Sequence, residues 1–264
     1  MSNVVITGAA RGIGAATAAA CAARGDTVLG LDLEGADLIC DVSDADQVER
    51  AAEAAFTTLG AVELVVHAAG VSVSGRAVAA SADDVRFVID VNVLGTIHVA
   101  RSFGQRLAAQ DIRSRLVFLG SEHSLGVPHR YSAAYTASKH AVLGYADALR
   151  RELPEQVGVT VVCPGLVETD LWRSDEHRGA AYGGPQAVPS AQGAVMAHGM
   201  PAAEVAERLL AGVDAGEFLV VTHGHARAYA EARAATIIDA FDRQAPDASD
   251  DRYALGRLIP RLAP

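Results

Sequence analysis

Tyr135 and Lys139 stand four residues apart in a stretch that reads as a helix, Ala134–Glu152, so their side chains share one face. Lys139 is the only lysine among the 22 Lys and Arg residues. An arginine-rich chain with one lysine there points to a task that a guanidinium cannot perform. An ammonium is a compact point charge with three rotatable donors. Beside a phenol it stabilises the phenolate and lowers its pKa towards working pH, which makes the pair a proton-transfer device. The plain alternative is a surface lysine.

A second group lies near the N-terminus. Thr7-Gly8-Ala9-Ala10-Arg11-Gly12-Ile13-Gly14 joins a strand to a helix. Glycines there let the backbone turn tightly and approach a pyrophosphate, and the helix start offers N–H groups to the anion. The spacing is Gly-x3-Gly-x-Gly, not Gly-x-Gly-x-x-Gly, and alone it is equally a tight strand–helix turn. Asp32 strengthens it by closing the next strand 18 residues after Gly14. A carboxylate there accepts ribose hydroxyls and repels a 2′-phosphate, which favours NAD over NADP. Glu34 adds negative charge, whereas Arg11 argues the other way, since a guanidinium can reach a 2′-phosphate.

The elements that must position these groups alternate. Strands are expected at Val4–Thr7, Thr27–Asp32, Leu64–His67, Arg115–Gly120, Val159–Cys163 and Phe218–Thr222. Between them fall helices at Gly14–Arg24, Ala45–Leu59 (capped by Ser43 or Asp44), Asp83–Gln110, Ala134–Glu152, Ala202–Val213 and Ala226–Phe241. The strands are continuous apolar runs, as in a parallel sheet buried on both faces. Repeated strand–helix order predicts a single-domain α/β fold with a doubly wound sheet.

Composition narrows the class. The 264 residues suit one α/β domain. Half are hydrophobic and the net charge is -10, without a basic stripe. That argues against nucleic acid or an anionic membrane as partner. Cys21, Cys40 and Cys163 are odd in number and far apart, and read as buried free thiols of a reducing compartment. No apolar run approaches a membrane span, and Met1-Ser2-Asn3 opens no signal peptide, so a cytoplasmic protein is expected. His223-Gly224-His225 reads as loop histidines, with no metal site expected.

With these residues in place, the chain resembles the classical short-chain dehydrogenase/reductase family from Val4 to about Leu171. The resemblance rests on the glycine turn, Asp32, Asp41-Val42, His67-Ala68-Ala69-Gly70, Asn92, Ser121, Tyr135-x3-Lys139 and Pro164-Gly165-x3-Thr169. It implies a Rossmann-type sheet of about seven strands with helices on both faces. Tyr135 would be the general acid/base, and Lys139 would hold the nicotinamide ribose and lower the phenol's pKa. Ser121 would hydrogen-bond the substrate oxygen, and Asn92 would fix a relay water. Gly8, Arg11, Gly12, Ile13 and Gly14 would cradle the dinucleotide, with Asp41 and Val42 bordering the adenine. Ala69 and Gly70 would line the groove. Pro164, Gly165, Val167 and Thr169 would meet the nicotinamide end.

Some positions depart from the family. His67 replaces the usual Asn, and Gly120 replaces the first serine of a pair. Ser121 follows the strand directly and is preferred to Ser124, which reads as a loop-turn serine. Glu122 and His123 read as solvated loop residues, with substrate contact as the alternative. No Gly-x-Ser-x-Gly elbow supports a hydrolase.

The irregular segment at about 170–200 stands where the family carries a substrate lid. Leu171 and Trp172 are its first substrate-contact candidates, and Gly183-Gly184-Pro185 and Pro189 would allow hinging. Its apolar residues suggest a hydrophobic or aromatic alcohol or ketone, while Arg173 and Arg178 leave an anionic substrate group open. Residues 1–242 would form the domain and 243–264 a charged tail. The resemblance implies a homotetramer or homodimer packed through a small-residue face, Ala133, Ala137, Ala141, Gly144 and Ala148. The leading expectation is an NAD-dependent oxidoreductase interconverting a secondary alcohol and a ketone. Other readings are an NADPH-dependent carbonyl reductase of a biosynthetic pathway and a non-catalytic dinucleotide sensor.

Overall fold

A computed structural model describes residues 1–188 and 191–244. Pro189 of the expected hinge and residues 245–264 of the expected tail lie outside the described residues.

The chain runs β1 (Asn3–Thr7), α1 (Gly12–Ala23), β2 (Thr27–Asp32), β3 (Leu38–Ile39), α2 (Ala45–Leu59) and β4 (Leu64–His67). It continues through α3 (Ala82–Ile89), α4 (Gly95–Ala108), β5 (Ser114–Leu119), α5 (Ala133–Glu152), β6 (Val157–Cys163) and β7 (Val167–Glu168). Then come α6 (Ala191–Met196), β8 (Met200–Pro201), α7 (Ala202–Asp214), β9 (Leu219–Val221) and α8 (Arg227–Gln244). Seven strands form one sheet in the order β3-β2-β1-β4-β5-β6-β9, and every pairing in it is parallel.

Successive strand residues face opposite sides, so each apolar run feeds two cores. Val5, Val65, Leu116 and Phe118 pack with Val48 of α2, Phe103 and Leu107 of α4, and Val142 of α5. Val4, Ile6, Val66, Val117 and Val162 pack on the other side with Cys21 of α1 and Leu209 and Leu210 of α7. Each such side chain, fully buried, stabilises by roughly 1.5–3 kcal/mol. Cys21, Cys40 and Cys163 are buried free thiols, and burial pushes each up to about 11. Among the described residues no helix is long and apolar enough to cross a membrane.

The order places the topological switch at β1, where the chain leaves towards β2 and β3 and then returns to β4. A crevice opens there beyond the carboxyl ends of the strands. Two details reshape the expected elements around it. The helix expected over Asp83–Gln110 is interrupted by a π-helical turn at Asp90–Leu94, which carries Asn92. The irregular segment at about 170–200 is closed at its base by a two-residue parallel ladder, Val167 with Met200 and Glu168 with Pro201.

Candidate active site

A cleft of about 470 Å³ runs along the switch, lined at one end by Gly8, Arg11, Gly12, Ile13, Gly14, Asp32, Asp41 and Val42. Its middle is formed by Ala69, Gly70, Pro164, Gly165, Val167 and Thr169, and its far end by Ser121, Glu122, His123, Tyr135 and Lys139. A larger open groove of about 730 Å³ runs along α8 beside Val127, Ile237 and Phe241, but it contains none of these groups.

At the first end the glycines answer to backbone contacts. A Cβ on Gly8, which has φ +69, would lie 2.6 Å from the Ala69 nitrogen, and one on Gly14 would lie 2.0 Å from the Gly8 carbonyl oxygen. Gly12, at φ +57, turns the chain into α1. Arg11 holds the N-cap position of α1 without a side-chain cap, and the first turn carries no acid. The α1 amides therefore have no side-chain acceptor and an unopposed dipole, a site built for a phosphate anion. Asp32 accepts from the Ala10 amide at 2.9 Å and the Leu33 amide at 2.7 Å, and its carboxylate borders the cleft. Arg11 is engaged by Glu34 at 3.1 Å and by His177 of the lid at 2.8 Å. The described residues thus fit a nicotinamide dinucleotide from the phosphate cradle to the ribose carboxylate.

At the other end α5 supplies Tyr135 and Lys139. Lys139 is buried; its Nζ donates to the Leu119 carbonyl at 2.7 Å and lies 5.5 Å from the centre of the Tyr135 ring. Burial pulls the ammonium down to about 8. Burial also pushes the Tyr135 phenol up to about 12, with the Ser121 hydroxyl bonded to it pulling the other way and Glu122 and Cys163 adding to the rise. In the chain alone the phenol's shift is thus a rise led by desolvation rather than the expected acidification by Lys139.

Ser121 and Ser124 separate cleanly. Ser121 lines the cleft with Tyr135, its hydroxyl donating to the Pro164 carbonyl at 3.4 Å, whereas the Ser124 hydroxyl donates to the Lys139 carbonyl at 2.7 Å and so pins α5 to the end of β5. Asn92 does not line the cleft. Its amide oxygen accepts from the Val71 N–H at 2.8 Å, and its amide nitrogen donates to the Val71 carbonyl and to Ser138. It stands behind Gly70, where an added Cβ would meet Asn92 Oδ1 at 3.3 Å and Lys139 Nζ at 3.6 Å.

Three expectations need correction. Glu122 and His123 are not solvated loop residues but buried members of the cleft wall. His123 contacts Thr136 Oγ1 at 2.7 Å and stacks edge-on against Tyr135, with ring centres 5.2 Å apart. Burial, then His129, His140 and Lys139, push it down to about 4. Leu171 lines the cleft, but Trp172 does not; it packs over Gly193 of α6, where a Cβ would come within 2.6 Å of its ring. Arg173 and Arg178 are not held open for an anionic substrate. Arg173 pairs with Glu176, and Arg178 with Asp84 at 2.5 Å and Asp175 at 2.6 Å.

The histidine pair at the sheet's carboxyl edge was missed as part of the site. His223 Nδ1 accepts from the Gly165 amide at 3.0 Å, and its Nε2 donates to the Leu166 carbonyl at 3.0 Å, which fixes the loop beneath the cleft. His225 Nε2 lies 2.7 Å from Glu122 Oε2. Their signal was position: both follow the last sheet strand, at the edge where such clefts open.

Comparisons with known proteins follow this geometry. A family model described as short chain dehydrogenase matches residues 2–179. A probable oxidoreductase, EphD, of Mycobacterium tuberculosis is 33% identical over 186 residues, 64% of this chain but only 31% of that protein. The chain thus spans less than a third of the length of that relative. A 1-deoxy-11-beta-hydroxypentalenate dehydrogenase of Streptomyces avermitilis is 36% identical over 192 residues, 65% of this chain and 71% of that one. A short-chain dehydrogenase/reductase from Burkholderia phymatum, solved in complex with NAD, superposes with a TM-score of 0.82 at 27% identity. That match covers 93% of this chain and 96% of the other.

Proposed function

The chain belongs to the short-chain dehydrogenase family, and from that premise we propose that it is an NAD-preferring oxidoreductase interconverting a secondary alcohol and a ketone. The observation that carries the reading is that Tyr135, Ser121 and Lys139 line one end of the cleft whose other end is the phosphate cradle, with the Lys139 Nζ 5.5 Å from the Tyr135 ring centre. A bound nicotinamide dinucleotide supplies the hydride donor or acceptor.

The chain's own residues supply orientation and the proton. Ser121 hydrogen-bonds the substrate oxygen and shares it with the Tyr135 hydroxyl. A phenol held at about 12 stays protonated at neutral pH, so Tyr135 is poised to donate to a carbonyl oxygen. In the reverse direction it receives the alcohol proton, and the Lys139 ammonium beside it favours the phenolate. Phe87, Val91, Leu166, Leu171 and Met196 line the cleft and support a hydrophobic or aromatic substrate.

NAD is the preferred dinucleotide because the Asp32 carboxylate faces a 2′-phosphate with like charge and Arg11 is occupied by Glu34 and His177. One observation favours NADP: the Arg11–Glu34 pair is exposed, and exposed pairs are worth only about 0–1 kcal/mol, so Arg11 can swing away. The small-residue face of α5, exposed at Ala133, Ala137, Ala141, Gly144 and Ala148, supports a homo-oligomer.

The test follows the reduced-nicotinamide absorbance with acetophenone or 1-phenylethanol and with each dinucleotide. Tyr135→Phe should lower kcat by roughly 10²–10⁴-fold while NADH still binds. A variant that turns over at the wild-type rate overturns the mechanism, and equal rates with NADPH overturn the cofactor preference.

A further inference from the structure

Glu122 is an unusual neighbour for a proton-transfer pair. It opens a one-turn 3₁₀ helix, Glu122–Ser124, directly after Ser121, and its amide donates to the Pro164 carbonyl at 2.7 Å. The side chain is only 12% exposed, and what it exposes faces the cleft. It crosses Gly165 so closely that a Cβ there would lie 3.0 Å from Oε2. Beyond Gly165, Oε2 meets His225 Nε2 at 2.7 Å. Among the described residues nothing donates to Oε1. With one oxygen held and the other not among the buried unpartnered atoms, this carboxylate keeps an open oxygen at the cleft wall that a bound donor can use. Nothing in the proton transfer described above uses it, and it raises the phenol's pKa rather than lowering it.

His225 aims this group from outside. It sits in the turn that starts α8, with its ring edge-on to Tyr229 at 6.0 Å between centres and to His223 at 5.5 Å. The segment after the last sheet strand thus reaches the cleft through one hydrogen bond.

We propose that Glu122 selects the substrate: its carboxylate, aimed by His225, accepts from a hydroxyl or ammonium group carried near the reacting carbinol and disfavours substrates with a carboxylate or phosphate there. This rests on the reading of the cleft as an alcohol–ketone site. The preferred substrate is then an apolar body with a second donor, a diol, hydroxyketone or amino alcohol. A donor lost from such a pair leaves the carboxylate unmatched, and an anion beside it adds like-charge repulsion. His225 is a positioning residue: among the described residues its ring hydrogen-bonds Glu122 and packs edge-on to His223 and Tyr229.

Four phenyl probes test this: 1-phenylethanol, 1-phenyl-1,2-ethanediol, 2-amino-1-phenylethanol and mandelate. Calorimetric titration into Tyr135→Phe loaded with NAD reads their binding without turnover, and kcat/KM in the otherwise unaltered enzyme reads selectivity. The amino alcohol should bind most tightly, then the diol, then the plain alcohol, with mandelate last and each step roughly threefold to tenfold. Glu122→Gln should collapse the ratio of amino alcohol to mandelate by roughly tenfold or more. His225→Ala should lower the same ratio, and His225→Gln, which still donates an N–H, should restore it. Equal affinities for the four probes, no binding of the amino alcohol, or a ratio unmoved by Glu122→Gln overturns the proposal. Failure of the oxidoreductase reading looks different, with no dinucleotide-dependent turnover of any probe or its ketone. Should Glu122→Gln fail to fold, the His225 pair decides by the same ratio.

Discussion

At the nucleotide end, Gly14 lies against the Gly8 carbonyl and Gly8 against Ala69, backbone on backbone, with β1, β2 and β4 behind them. At the substrate end, the segment from Asp170 to Met200 is held by side chains. Arg178, only 1% exposed, bridges Asp175 to Asp84, and Asp84 also belongs to the capping box of α3. Tyr182 donates to Asp90 at 3.1 Å, and the Ser174 hydroxyl accepts from the Ser72 amide at 3.0 Å. Apart from the exposed Arg11 side chain, the first end is backbone packed on backbone and holds its shape rigidly. The second is latched by a few removable contacts, so it can change specificity and open without unfolding the sheet.

The sharpest way to break this contrast is Gly14→Ala. The new Cβ would meet two backbone atoms of Gly8, at 2.0 and 2.7 Å, which no rotamer relieves. Either α1 leaves its place or the glycine turn is lost. Destabilisation beyond about 4 kcal/mol is expected, with a fall in Tm of about 10 °C or more and loss of NADH binding. Circular dichroism melts with and without NADH check it. A Tm within about 2 °C of wild type would show that the nucleotide end is adjustable after all.

Arg178→Ala probes the other end. Arg178 is buried but Asp84 and Asp175 are partly exposed, so its loss should cost less than the roughly 3–5 kcal/mol of a fully buried pair. The loss should fall mainly on the segment from Asp170 to Met200, because Asp175 and Asp84 can then reach water. Limited proteolysis should cut between His177 and Met196 faster by roughly 10²-fold, and KM should rise while NADH affinity holds. A global Tm that drops as far as in Gly14→Ala would join lid and sheet into one cooperative unit and end the comparison.

What could be read beforehand divides along the same line. The sheet was legible because its strands are unbroken apolar runs, and Tyr135–Lys139 because one lysine stood alone among arginines. The Asn92 π turn was not, since a single wider turn leaves the apolar spacing of a long helix almost untouched. Strands β3, β7 and β8 are two residues each, too short for any periodic signal. Glu122 and His123 misled because polarity alone suggests solvent. Their burial depends on His225, 103 positions away, and on Thr136, 13 away, and no local pattern announces such partners. Arg178 misled for the same reason, its partner Asp84 lying 94 positions back.

The rigid end also carries a buried polar group that pH can attack. His67, at the end of β4, is 3% exposed, contacts Thr7 Oγ1 at 2.7 Å through Nδ1, and leaves Nε2 without a partner among the described residues. Burial, then the charge of Lys139, push it down to about 3. The unfolded chain therefore takes up a proton below about pH 6.5 that the folded chain refuses, and stability falls as pH drops from there towards 3. By about pH 4.5 the loss from this group alone is about 3 kcal/mol. His123, held at about 4, adds a loss of the same sign from the substrate end. His67→Asn removes only the first contribution. Urea melts at about pH 7.5 and 4.5 should differ less in His67→Asn than in wild type by about that amount. If the two proteins lose stability in parallel, acid acts through the substrate end, and the nucleotide end keeps no titratable weakness.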